Sequence, residues 1–592
     1  MPAERRRHSA TAWSATGVDL VVIGAGINGA AVAREGALRG LRTLLVDQLD
    51  IASGTSAASS RMIHGGPRYL EHGELRLVRE SLRERERLLR SAPHLVTPYP
   101  LLIPFYEHNR RRPATLRTGM LAYDALSWDK HTPRHRILSA TEVRRRHPGL
   151  EPRGLQGAAL YVDAHAFLAE RLAVEQALDV DAAGGLVLTQ VGVTAIAAGG
   201  SALELELTDG LCGTVETVRA RAVVNATGPW VDAVLDRAEG VHHPRLIGAV
   251  KGSYLTVAAF PGAPDTGIHF EARSDGRPIL VLPQADGRLL VGSTEVVEEC
   301  DPGALRCSDA EIAYLLSELN MLVPGAGPGA DDVLHSYAGA RPLPHDPAAR
   351  TPASVSRDHH VVAHGEAPGL FSLTGGKLTT HRALGEMSID RVLEHLRASG
   401  RGAGAGRSGV ASGRHRLAVA GRRRSGGLSP TRVLPLPGGR THDWPSFAAE
   451  LAAGDNVDPE IARRLLSVYG VRAPAVLALA ADDPGLGRVI PGTGNVLGAE
   501  VALAFADEFA QTLGDVLARR LMLARRADAG LDTAPAVAEA CAAIHGWDED
   551  RTRRELRGYR QWTARLRPRA AAAGEIADAV REESLTSTRA PG

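Results

Sequence analysis

The chain has 592 residues, 44% apolar and 23% charged, with 64 Gly and 35 Pro, so it is long enough for two or more domains with sizeable cores and is neither disordered nor fibrous. Lys plus Arg total 69 against 68 for Asp plus Glu, so no global charge favours nucleic acid and any anionic partner must be met locally. Cys212, Cys300, Cys307 and Cys541 share no Cys-x-x-Cys spacing, which argues against a disulfide framework, a metal site or an iron–sulfur cluster and for a reducing compartment.

Residues 1–17 carry Arg5, Arg6 and Arg7 with no apolar stretch behind them and read as a loose basic tail, not a secretion signal. No apolar run reaches the ~18 residues that span a bilayer, so a cytoplasmic location is expected. Asp19–Ile23 has the length and composition of a buried strand; Gly24-Ala25-Gly26-Ile27-Asn28-Gly29 follows, then a small-residue helix from Ala30 to Leu38 and a second strand from Thr43 to Val46 that ends in Asp47. Leu75, Val78, Leu82 and Leu89 predict an amphipathic helix that stops before Pro93. Alternation in Leu203–Leu207 and Arg288–Gly292 predicts antiparallel strands between about 185 and 295, hence a mixed sheet beside the nucleotide fold.

From Arg397 to Arg440 there are ten arginines, many glycines and no Asp or Glu, the composition of a linker or exposed insertion, assigned to 396–430. Beyond it the pattern is helical, with one broad apolar face predicted from Glu500 to Leu523, so 431–570 is read as a helical domain and 571–592 as a fraying tail.

The three glycines of the first turn have separate physical duties. Gly24 makes the tight turn, Gly26 lets backbone approach a pyrophosphate, Gly29 allows close helix–strand packing, and the helix start faces the phosphates. Asp47 lies 18 residues beyond Gly29 at a strand end, where it can accept ribose hydroxyls and repel a 2′-phosphate. A dinucleotide other than NADP is the expectation.

Downstream stands Gly54-Thr55-Ser56-Ala57-Ala58-Ser59-Ser60-Arg61-Met62-Ile63-His64-Gly65-Gly66-Pro67-Arg68-Tyr69-Leu70, hydroxyl-rich and then glycine-rich. Asn225–Trp230, Lys251-Gly252-Ser253, Gly292–Glu295, Tyr337–Leu343 and Thr374–Thr380 follow in order. Together these motifs resemble the FAD-dependent glycerol-3-phosphate dehydrogenases, within the D-amino-acid-oxidase-like flavoproteins, over about residues 18–395 and 431–565.

That resemblance implies an α/β FAD-binding Rossmann-like domain interleaved with a mixed, largely antiparallel β-sheet substrate domain over 18–395, plus the all-α C-terminal domain. It implies oxidation of sn-glycerol 3-phosphate to dihydroxyacetone phosphate with hydride passing from C2 to flavin N5, a quinone acceptor, and a position on the inner face of the cell membrane as an option beside the cytoplasm. A homodimer is compatible with it. FAD contacts fall on Gly24, Gly26, Asn28, Gly29, Asp47, Thr55, Ser56, Ser60, His64, Gly65, Gly66, Thr227, Gly228, Gly375, Gly376, Lys377, Leu378 and Thr379. Substrate contacts fall on Arg68, Tyr69, Tyr254, Thr294, Arg341 and Lys377.

The chemistry of these residues can be read independently. A phosphorylated polyol needs fixed positive charge at one end and a proton acceptor at the carbinol. Arg341, expected in a tight turn between Gly339 and Pro342, and Arg68 are the phosphate forks. His64, ahead of two glycines expected to admit the flavin, is the candidate base. Lys377 sits in a Gly-Gly-Lys-Leu-Thr-Thr turn expected to open a helix and to face anionic oxygen. Only three lysines occur, Lys130, Lys251 and Lys377, against 66 arginines, which singles out all three. Tyr254 replaces the His of the family's Lys-Gly-Ser-His form and Glu295 stands where Asp is common; a Tyr hydroxyl still donates a hydrogen bond. The alternatives are a glycerol-3-phosphate oxidase using O2, a D-amino-acid or sarcosine-type oxidase, and a nucleotide-binding module without turnover, which would leave Arg68, His64, Arg341 and Lys377 unexplained.

Overall fold

The computed structural model describes residues 13, 17–67, 70, 73–200, 202–284, 286–325, 327–349, 355, 357–400, 428–454 and 457–567. The strand Val18–Ile23 pairs in parallel with Thr43–Asp47 on one side and Val215–Asn225 on the other. Leu186–Thr189 extends the parallel core at one edge, Leu370–Thr374 at the other, and His360–Ala363 closes that edge in antiparallel fashion. The run is apolar throughout because both faces are covered. Leu20 and Val22 point into one core with the helices Ile27–Leu38, Ala169–Ala182 and His381–Ala398, while Val21 and Ile23 point into a second core on the opposite face. Gly385 lets two of these helices cross closely, since a Cβ there would lie 2.8 Å from the Ala31 backbone.

A second, mostly antiparallel sheet of ten strands lies beside the first. Its strand Val250–Val257 pairs with Val333–Arg341, setting Gly252 opposite Gly339 and Tyr254 opposite Tyr337. The strands Thr97–Tyr106 and Leu155–His165 continue the sheet and end beside the short strand Met62–Ile63. The helices Leu75–Ser91 and Pro113–Leu126 cover the face that approaches His64. The alternating segments predicted as strands are strands, Ala202–Asp209 and Leu289–Gly292.

The apolar face from Glu500 to Leu523 is not one helix. The helix Gly498–Ala506 stops, Phe509 takes φ +65°, Thr512 caps a new turn, and a π-helical stretch Val516–Arg520 ends at Met522 with φ +58°. The break is held from outside by Thr189, which donates to the Phe509 carbonyl at 2.8 Å, and from within by Arg520, which donates to the Glu508 carbonyl at 2.7 Å. Tertiary contacts have overridden a continuous helical pattern.

The stretch Pro459–Asp482 is long and apolar enough to cross a membrane by composition, although Arg463, Arg464 and Arg472 interrupt it. It is divided at Gly470, φ +58°, and packs Leu465, Val468, Tyr469, Ala473 and Val476 into the C-terminal core. The arginine-rich segment is only partly a linker: the preceding helix runs on to Ala398, and 428–440 is folded onto the nucleotide domain, where Arg34 donates to the carbonyls of Leu434 and Pro435 and Ser429 and Thr431 reach Glu35.

The C-terminal helices dock through buried charge. Asp50, three residues past Asp47, is gripped by Arg519 and, through two bonds of 2.7 Å, by Arg520, with Asp50 and Arg520 fully buried. Glu508 receives Arg171 at 2.5 and 2.6 Å and Arg472 at 2.7 Å. Burial would raise that carboxyl, but the two guanidinium groups outweigh it and hold it down to about 2. Removing one partner of such a pair leaves a buried charge and costs about 3–5 kcal/mol. Arg520→Met is therefore expected to lower the melting temperature and expose the C-terminal helices to protease; an unchanged melting curve would refute the claim that this pair secures the domain.

Candidate functional site

A cavity of about 1030 Å³ runs from the first glycine turn, between the two sheets, to the edge of the C-terminal helices. At its nucleotide end Gly24 has φ +97° and sits 2.9 Å, by its missing Cβ, from the Ala226 carbonyl, so a side chain there is excluded. Gly29 does not line the cavity; its missing Cβ would lie 1.8 Å from the Gly24 carbonyl, and its duty is close packing of helix on turn. Gly26 and Asn28 do line it, at the N-terminus of Ile27–Leu38. Ser56 Oγ accepts from the Ile27 N–H at 2.9 Å, and Thr55 Oγ1 donates to the Ala340 carbonyl at 2.7 Å.

Asp47 accepts from the Ala25 N–H at 2.7 Å and the Leu49 N–H at 2.9 Å, one bond per oxygen, leaving lone pairs toward the cavity. Burial pushes its carboxyl up to about 6, against those two donors, so it is chiefly ionised at neutral pH. Two features fit these residues to FAD. The Asn28 Oδ1 is buried without a hydrogen-bond partner at the helix N-terminus, and the glycine turn is a cradle that a Cβ would fill. Ser60, Thr227 and Gly228 line the passage toward the second sheet.

At the far end the cavity is walled by His64, Gly376–Thr379, Gly252, Tyr254, Tyr337, Arg341 and Arg357. The His64 backbone is clamped by Thr379, whose Oγ1 accepts from the His64 N–H at 3.1 Å and donates to its carbonyl at 3.3 Å. Burial pushes the imidazole down to about 4; Asp163 pulls it upward, and Lys377, Arg357 and Arg85 add to the depression. It is neutral at physiological pH and open to a proton.

Arg341 is the last residue of a strand rather than part of a tight turn. Its guanidinium pairs with Glu295 and donates to Ser293 Oγ at 2.6 Å and to the Thr294 carbonyl at 3.2 Å. Arg357 reaches the same Glu295 at 2.6 Å, so two guanidinium groups flank one carboxylate at the cavity wall. Sequence reasoning missed Arg357, which stands in no recognisable motif among 66 arginines. Lys377 lines the cavity with Nζ 3.4 Å from Ser81 Oγ, and its turn opens the helix His381–Ala398 with Thr380 at the N-cap. Tyr254 is buried and stacks on Tyr337, ring centroids 5.3 Å apart.

Several expected contacts lie elsewhere. Gly65 and Gly66 do not line the cavity: a Cβ on Gly65 would lie 2.5 Å from the Tyr123 hydroxyl, and Gly66 supplies a φ of +70°. Gly375 likewise lies behind the wall, tight against the Asp358 carbonyl. The Thr294 side chain turns away and donates to Glu311 at 2.7 Å. Of the three lysines only Lys377 reaches the large cavity; Lys130 pairs with Asp124, and Lys251 pairs with Glu298 and Glu311. Arg68 and Tyr69 lie outside the described residues.

Comparison with known proteins gives the family and the fold. Residues 19–382 match the family of FAD dependent oxidoreductases and residues 429–552 the C-terminal domain of alpha-glycerophosphate oxidase. A glycerol-3-phosphate dehydrogenase of Synechocystis is 37% identical over 92% of this chain and 96% of its own length. A D-erythritol 1-phosphate dehydrogenase of Brucella abortus is 34% identical over 85% of this chain and 93% of its own length. In fold, the chain is similar to the crystal structure of a Bacillus halodurans glycerol-3-phosphate dehydrogenase complexed with FAD, with a TM-score of 0.73 at 23% identity over 95% of this chain and 98% of that one. The chain belongs to the FAD-dependent glycerol-3-phosphate dehydrogenase family.

Proposed function

We propose that this enzyme oxidises sn-glycerol 3-phosphate to dihydroxyacetone phosphate and delivers the electrons to a quinone. The observation that carries this reading is the convergence, in one cavity with the nucleotide turn, of a neutral imidazole with the guanidinium groups of Arg341 and Arg357 and the ammonium of Lys377. Planar guanidinium forks suit a phosphate dianion, and an amino-acid substrate would require only a carboxylate clamp. The names of the two relatives share a polyol with a terminal phosphate, the same chemical class.

FAD, when bound along Gly24–Asn28, Asp47 and Ser56–Ser60, supplies the two-electron acceptor for this oxidation. Arg341 and Arg357 then exchange Glu295 for substrate phosphate oxygens and fix the carbinol carbon relative to the cofactor. His64, unprotonated at neutral pH, takes the proton of the secondary hydroxyl as the hydride leaves its carbon. Lys377 holds negative charge that develops at the same end of the cavity, and Tyr254 presents a hydroxyl to the polyol.

Anaerobic addition of glycerol 3-phosphate to the flavoprotein should bleach the flavin band, and re-admitted oxygen should yield little peroxide. Rapid peroxide formation would favour an oxidase, and no bleaching would favour a module without turnover. A quinone lives in the bilayer, so the enzyme must meet the membrane surface; the acid-free segment supplies Arg401, Arg407, Arg414, Arg416, Arg422, Arg423 and Arg424 for contact with anionic lipid, and these lie outside the described residues. Salt-sensitive co-sedimentation with anionic vesicles, lost on deleting 401–424, is the expected result; equal binding by the deletion variant would remove this segment as the anchor.

A further inference from the structure

Behind the candidate base, on the side away from the cavity, lies a polar chain buried in an apolar layer. Tyr123, 1% exposed on the helix Pro113–Leu126, places its hydroxyl 2.9 Å from the Gly65 N–H, which donates to it. The same hydroxyl donates to the Asp163 carboxylate, 2.9 Å from each oxygen. Asp163, fully buried on the strand Leu155–His165, is paired at 2.5 Å with the fully buried Arg85 of the helix Leu75–Ser91. Arg85 in turn donates to Glu86 at 2.9 Å. Around these groups stand Val78, Leu82, Phe105, Met120 and Tyr161.

A buried ion pair between well-packed apolar residues is a costly way to stabilise a fold, because desolvation offsets most of the attraction. This one ends on the peptide that follows His64. Thr379 already holds the His64 N–H and carbonyl, so the Tyr123 bond fixes the next amide, and together they leave the loop little freedom to turn the imidazole. Gly65 is the counterpart: any side chain there would meet the Tyr123 hydroxyl at 2.5 Å and Leu82 at 2.7 Å. The loop is glycine at this position to admit the phenol, not the cofactor.

We propose that Tyr123, anchored by Asp163 and Arg85, is a positioning residue that sets the orientation of His64 toward the substrate hydroxyl. The proposal rests on the reading of His64 as proton acceptor. Proton transfer demands heavy-atom distances of about 2.6–3.2 Å, so a loop free to shift by less than an ångström loses rate without losing ligand. The charged groups that face His64 are Asp163, Lys377, Arg357 and Arg85. In Tyr123→Phe the Asp163 carboxylate loses a donor, its field at His64 strengthens, and the imidazole holds a proton to higher pH.

The test uses the full-length holoenzyme. Tyr123→Phe is expected to lower kcat about tenfold, the effect of one buried hydrogen bond whose partners are left unpaired, with KM and flavin content near wild type. The acid limb of kcat/KM should move to higher pH. Tyr161→Phe removes the same atom from the same layer, 6.0 Å away between ring centroids, and should leave kcat and the pH limb unchanged. Gly65→Ala should reproduce the kcat loss, and the loss should be smaller in Gly65→Ala/Tyr123→Phe than the two single effects combined, because both act through one contact. Wild-type kcat and pH profile in Tyr123→Phe would overturn the proposal, as would a kcat loss matched by flavin loss or by Tyr161→Phe. Should His64→Gln keep wild-type kcat, the underlying reading of His64 fails instead, and that result is separable because it is scored on a different variant.

Discussion

His64→Gln is expected to lower kcat by about 10² to 10⁴, the range contributed by a positioned general base, while flavin content and KM stay near wild type. The bonds that hold this loop use the His64 backbone and not its ring, so the fold loses nothing with the imidazole. In the wild type kcat/KM should rise through about pH 4 as the buried ring loses its proton and then run level to neutrality. The variant's profile should lack that limb. The sign of the stability effect bounds the measurement: burial pushes His64, His335 and His381 from 6.5 down to about 4, so the unfolded chain binds their protons first and stability falls as pH drops from 6.5 toward 4. Rates should therefore be read with a folding control below pH 6. Retention of full kcat by His64→Gln would move the proton to another acceptor.

Arg341→Ala is expected to raise KM for glycerol 3-phosphate about tenfold to 150-fold, the equivalent of about 1.5–3 kcal/mol for a charged hydrogen bond. Flavin binding should be spared, because the guanidinium touches Glu295, Ser293 and the Thr294 carbonyl and no residue of the nucleotide turn. With Arg341 gone, Glu295 retains Arg357 and competes with the phosphate for it, so Arg341→Ala/Glu295→Gln should recover part of the lost affinity. Substrate saturation identical to wild type in Arg341→Ala would exclude this arginine from phosphate binding.

The nucleotide end of the cavity was legible because its requirements are local. A turn with φ +97° at Gly24, a helix start that must approach phosphates, and an acid at the next strand's end are conditions on consecutive residues, and they leave a pattern in spacing. The substrate end was legible only in part. Arg341 and Lys377 sit in recognisable motifs, whereas Arg357 arrives from a segment without pattern and is placed by its bond to Glu295, 62 residues away in the chain. Thr294 was misplaced because the Gly292–Glu295 motif gives the order of residues but not where a side chain points in the loop between two strands; its hydroxyl went to Glu311.

By itself, the amino-acid sequence determined the dinucleotide turn, the order of strand, helix and strand, the two-sheet class and the helical end, since each follows from periodicity or from a backbone conformation that only glycine takes without strain. The tertiary structure alone decided where the helical pattern of 500–523 breaks, because the break is paid for by Thr189 and by the clasp of Asp50, contacts more than 300 residues distant. It alone decided that Gly65 packs against the Tyr123 hydroxyl behind the cavity wall, because a glycine in a sequence does not tell which neighbour needs the room. And it alone lowered the His64 imidazole to about 4, since burial and the charges of Lys377, Arg357 and Arg85 outweigh the upward pull of Asp163, four residues that only the fold brings to one imidazole.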